Sequence, residues 1–227
     1  MGASTKNGRF AVAFTALAFS FILIAFCTPH WLDNDGQLEN ARFINLGLWT
    51  VCLRNFTEIH RHYPDVVFNG CMWVFEEEYY IIHNFLLPDF YVATQFFFTL
   101  CFTLLLIALL LTLGFLGCSR DDTRYTVLLI ANGTIQLMSA FFGLISVIIF
   151  GARGDGRDWM PNWEHNNMGW SFALACVGVL FLLPSGTLYI IEARRERYRK
   201  LNEIGTREAS AYTEEGSRKY RGGQTDI

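Results

Sequence analysis

The chain has 227 residues, 52% of them hydrophobic, with 21 Phe and a formal net charge of −3. That charge says little by itself, but the clustering of the apolar residues excludes an ordinary soluble domain. They gather into four runs, Phe10 to Thr28, Val92 to Gly117, Thr126 to Phe150 and Gly169 to Ile191, none containing Asp, Glu, Lys or Arg. A bilayer core of about 30 Å needs roughly 20 apolar residues in a helix, so the sequence predicts four transmembrane helices, at about 10–28, 92–117, 126–150 and 169–191. The first run is longer than the apolar part of a secretory signal peptide, which favours a retained span.

Four spans put both termini on one side. The terminal side carries 13 Lys/Arg and the other side 5. The positive-inside rule then places both termini in the cytosol and residues 30–91 and 151–168 outside.

The first span ends at "TPHW", Thr28 to Trp31. Trp31 lies where an aromatic of the membrane interface would lie, and that reading competes with any other role for it. The loop 30–91 is too short for an independent domain without help. Within it "ARFINLGLWTVCLRN" and "VVFNGCMWVF" are rich in β-branched and aromatic residues and read as strands. Of six cysteines only Cys52 and Cys71 fall outside, in the oxidising compartment. One intramolecular bridge between them would tie the strands into a small antiparallel sheet; an intermolecular bond is the alternative. Asn55 opens a glycosylation sequon, "NFT", inside the bridged segment.

Asn132 and Gln136 stand four apart in the third run, on one helix face, and should point into the bundle toward polar partners. Ser139 and Gly143 suit a close helix contact, either between copies or within one chain. The second outer loop has the composition for one strand or a turn. After Ile191 comes "EARRERYRK", basic enough to meet anionic headgroups, and the tail 192–227 is expected to be basic and then, from Leu201, disordered.

Catalysis finds little support. His60, His62 and His165 fall short of a zinc site, which needs a fourth ligand and defined geometry. Glu76, Glu77 and Glu78 form an acidic cluster without a sign of a pocket or a proton-transfer partner. No enzyme activity, cofactor or nucleic-acid partner is expected. The chain ends "GQTDI". PDZ domains add an extended peptide as a strand and capture its carboxylate, and Ile227 with Thr225 offers the apolar last side chain and the hydroxyl two residues earlier.

Trp31, the run Gly47-Leu48-Trp49, Cys52 and Cys71, in the first outer loop of a four-span chain, resemble the signature of the claudin superfamily. That superfamily includes the peripheral myelin and epithelial membrane proteins. The resemblance implies a four-helix transmembrane bundle carrying a small extracellular antiparallel β-sheet. It further implies that the two cysteines pair to brace that sheet, and that the Trp and the GLW run seat it on the bundle. Two departures stand out. Eighteen residues separate the cysteines, about twice the spacing usual in claudins, and "NFLLPDFYVATQ" lacks the Arg that claudins carry before the second helix. The chain is most similar to the divergent claudin-like proteins of invertebrate septate junctions.

The expectation is a structural and adhesion protein of an epithelial occluding junction at the lateral plasma membrane. It would contact copies of itself or relatives laterally and across the gap, and a PDZ scaffold through its tail. The alternative is an auxiliary subunit of a channel or receptor. The first outer loop carries nine Asp/Glu against three Arg. If it lines a pore, Glu76, Glu77 and Glu78 would favour cations; otherwise they form a solvated face.

Overall fold

The computed structural model describes residues 5–57, 67–77, 82–119, 124–156, 159–161 and 163–222. Four long helices form a bundle: α1 (Lys6–Cys27), α3 (Asp89–Gly117), α4 (Arg124–Arg153) and α5 (Trp170–Gly222), with α2 (His83–Leu86) a single turn before α3. Each of the four is long and apolar enough to cross a membrane. α5 packs on α1 and α4, and α4 on α3, while α1 meets α3 only sparsely.

At one end of the bundle stands a five-stranded, open antiparallel sheet. Its strands are β1 (Leu32–Asn34), β2 (Phe43–Leu46), β3 (Thr50–Phe56), β4 (Phe68–Trp73) and β5 (Asn166–Met168), in the order β4-β3-β2-β1-β5. The segment 41–55, which composition reads as one strand, is two. Chain direction reverses at Gly47-Leu48-Trp49, where Gly47 N–H bonds Thr50 C=O at 2.8 Å. The second loop supplies β5, paired with β1 from Leu32↔Met168 to Asn34↔Asn166.

The bundle interior is not wholly apolar. Gln136 on α4 donates to Thr15 on α1 (3.1 Å) and to Asn132 (3.0 Å), and Asn132 donates to Thr112 on α3 (2.8 Å). Thr15 and Thr112 in turn meet Ser185 and Tyr189 on α5, at 2.8 and 3.3 Å. A side-chain amide in hydrocarbon is costly unless bonded, so the two amides that four-residue spacing sets on one face bond each other and hydroxyls of α1 and α3, which hydroxyls of α5 bond in turn. Ser139 and Gly143 also face inward. Ser139 donates to Cys101 C=O at 2.7 Å, and a Cβ at Gly143 would lie 2.6 Å from Val179. The close contact these small residues allow is within one chain.

α5 does not stop at the end of its apolar run. It continues as helix through the basic segment to Gly222, where the sequence reading expects disorder from Leu201. Two physical reasons favour helix: no proline follows Pro184, and charges at helical spacing pair, Arg199 with Glu196 and, at 3.5 Å, with Glu203. At the root of this extension Glu192 is fully buried and accepts from Thr5, the residue that caps α1, at 2.8 Å.

Candidate functional site

The site is the seat where the sheet meets the bundle. It starts at the end of α1. Pro29 has no N–H, so it cannot complete the helical bond to the carbonyl four residues earlier. That carbonyl belongs to Ala25, and the Trp31 indole N–H supplies the missing donor at 2.8 Å. Trp31 is fully buried, its ring edge-on to Phe98 and Phe150, each at 5.0 Å between centroids. An aromatic of the lipid interface is therefore not its role. Its backbone joins the layers as well: Trp31 N–H bonds Leu46 C=O (2.7 Å), and Gly169 N–H bonds Trp31 C=O (2.9 Å).

The GLW turn lies against this joint. A Cβ on Gly47 would sit 2.6 Å from Pro29 Cα and 2.7 Å from Thr28 O. Both are backbone atoms, which cannot swing aside, so only glycine fits. Leu48 is buried, and its carbonyl accepts from the Gln95 side chain at 2.6 Å. Tyr91 donates to the Gly47 and Leu48 carbonyls, at 2.6 and 3.0 Å. Trp49 packs tilted against Phe26, at 5.3 Å between ring centroids. Turn carbonyls point away from any strand partner and need donors from elsewhere; α3 provides them at positions four apart on one face. Sequence reasoning passed over Tyr91 and Gln95, although they lie in the stretch already noted for lacking an Arg. Their helical spacing was the signal available. We expect Gly47→Ala to cost about 1–3 kcal/mol by overpacking, read as a lower thermal midpoint with the Cys52–Cys71 bridge still formed.

Cys52 and Cys71 stand directly opposite in the β3–β4 ladder and are disulfide-bonded. Asn55 is exposed, at φ 46°, in the irregularity of β3 between Leu53 and Phe56. Its carboxamide oxygen accepts from Asn69 at 2.9 Å. Glu76 and Glu77 are exposed in the turn after β4. Glu78, His60, His62, Thr225 and Ile227 lie outside the described residues. Trp159 of the second loop closes the top of the bundle: it lies 4.8 Å from Phe90 and 5.4 Å from Tyr91, and donates to Phe85 C=O at 3.2 Å.

His165 Nδ1 meets the Asp35 carboxylate at 2.9 Å, a pairwise hydrogen-bonded contact rather than a metal set. Among the described residues no three His, Cys, Asp or Glu side chains gather to hold a metal. The Gln37 backbone N–H, and then His165, hold the Asp35 carboxyl below its usual range. A depressed folded value means that the stability Asp35 contributes is present above the unfolded aspartate pKa of about 3.9. It is lost as pH falls through the lower folded value. Protection of the Asp35 and Gln37 amides, taken relative to their intrinsic exchange rates, should therefore fall in acid, and Asp35→Asn should flatten that fall.

These features define a class: a four-span membrane protein whose disulfide-braced sheet is seated on the bundle by Trp31 and a GLW turn. The family model described as PMP-22/EMP/MP20/Claudin tight junction matches residues 16–191, and the chain belongs to that family. The match runs from within α1 to within α5 and so covers the sheet, the seat, the spans of α3 and α4, and parts of α1 and α5. No curated protein matches the chain.

Proposed function

We propose that this protein is a structural and adhesion component of an epithelial occluding junction, tight or septate, and contributes to its paracellular barrier. The family match over residues 16–191 is the observation that carries this reading. The termini face the cytosol, as the excess of Lys/Arg on their side supports. The sheet faces the gap and meets copies or relatives laterally and across it. The bridge and the Trp31–Gly47–Trp49 seat hold the sheet at a fixed attitude, which adhesion between opposed cells requires. Thr225 and Ile227 dock to a PDZ scaffold, and Asn55, exposed beside the bridged pair, carries the glycan.

The test is localisation of a tagged copy in a polarised epithelium, with ion flux measured after its removal. Junctional borders and a leaky epithelium are the expected result; an intact barrier with the protein elsewhere would sink the reading. Glu76 and Glu77 are exposed acids on the same loop as Glu78, and replacing all three by Lys should shift selectivity away from cations. Unchanged selectivity would leave them as a solvated face. A second reading, an auxiliary subunit that grips a channel or receptor, draws on the 18 residues between Cys52 and Cys71, long enough for a dedicated partner surface. Stable co-purification with one heterologous membrane protein would favour it.

A further inference from the structure

The strands bury their aromatics except at the end of β4. Phe43, Phe56 and Phe68 are at most 7% exposed, whereas Trp73 and Phe75, at the end of β4 and just beyond it, are 54% and 42% exposed. Their position is fixed. Trp73 is the register partner of Thr50, and Val74 N–H bonds Trp49 C=O at 2.9 Å. This end of the edge strand therefore sits level with the GLW turn.

From there a ladder of rings runs into the membrane span. Trp73 lies 5.3 Å from Phe75, Phe75 lies 6.3 Å from Trp49, and Trp49 lies 5.3 Å from Phe26. Phe26 is the last residue but one of α1 and stacks on Phe102 of α3 at 4.6 Å. It fills the cleft between two spans that otherwise meet sparsely. The exposed pair is thus continuous with the apolar surface that faces lipid. On α5, Trp170 is 48% exposed at the first residue of the helix, stacked on His30 at 5.2 Å.

We propose that Trp73 and Phe75 lie in the headgroup region of the leaflet on the sheet side, so that the free edge of the sheet rests on lipid as well as on protein. The occupant is phospholipid. Trp suits that depth because its body is apolar and its N–H can bond a headgroup oxygen. Trp170 would share the same belt across the bundle, the role that position alone suggested as one reading of Trp31. The acids that follow, Glu76 and Glu77, make a zwitterionic surface a better match than an anionic one.

The test uses the full chain in nanodiscs holding one copy each, made of phosphatidylcholine brominated on the acyl chains near the headgroup. The chain has six Trp, so the share due to Trp73 is the fluorescence of the wild type minus that of Trp73→Phe. Strong quenching of this share by brominated lipid, with weak quenching by aqueous iodide, is the expected result. The converse, access to iodide without quenching by lipid, would overturn the proposal. Protection from both that appears only when two copies share a disc would also overturn it, and would make the edge a surface for a second copy. Phe75→Trp in the Trp73→Phe background reads the neighbouring position independently, and should follow the same pattern with a similar fold-change.

Discussion

Trp31→Ala is expected to destabilise the protein by about 3–5 kcal/mol, the range for truncating a buried large aromatic. Two losses add. Phe98, Phe150 and Phe172 lose the ring they pack around, and the Ala25 carbonyl loses its indole donor where Pro29 already denies it a helical one. Trp31→Phe separates the two. It keeps most of the packing and removes the donor, so it should cost about 1–3 kcal/mol, the penalty of a buried acceptor left unpaired. Denaturation in mild detergent, followed by loss of the disulfide's protection from reductant, would measure both. Equal costs for the two variants would mean that the hydrogen bond, and not the ring cluster, dominates the seat.

Removing the bridge with Cys52→Ser and Cys71→Ser together should cost about 3 kcal/mol, on a chain-entropy model of a loop near twenty residues. The cost should be local in its expression. Among the described strands, β4 pairs only with β3 and is the far edge of the sheet. β2, β1 and β5 are held by their own ladders and by Trp31. Hydrogen exchange should therefore accelerate from Phe68 to Trp73 and stay slow from Phe43 to Leu46. Acceleration across all five strands would mean that the bridge braces the whole sheet rather than its edge.

The spans were legible because lipid imposes a crude rule, and charge-free runs of that length have few other uses. The inward pair Asn132 and Gln136 was legible from spacing alone. The sheet was half legible. Strand composition marked the right segments, but a period-two pattern does not reveal that Gly47-Leu48-Trp49 is a turn, because Leu and Trp are not turn residues. They occupy it since the turn is buried against α1 and α3, and burial overrides local preference. The donors Tyr91 and Gln95 went unread for the same reason: their partners are backbone carbonyls more than forty residues away, and backbone atoms leave no trace in a sequence. Trp31 shows the limit of position as a guide. An aromatic at the end of a span reads as a lipid anchor until the proline two residues before it is recognised as creating an unpaired acceptor.

The extension of α5 has a mechanical consequence. From Glu192 to Gly222 the helix adds about 45 Å at 1.5 Å per residue. A coil of that length would let the segment around Gly222 wander close to the bilayer, with a mean reach that grows only as the square root of residue number. A rod removes those near positions. Whatever engages the last turns of this helix is held at a set stand-off, and neighbouring copies present those turns at one height. The helix also ties that height to the bundle, since its root is where buried Glu192 meets the cap of α1. Tilting the bundle within the membrane would swing the far end through a much larger arc, which makes the tail a pointer to the attitude of the spans.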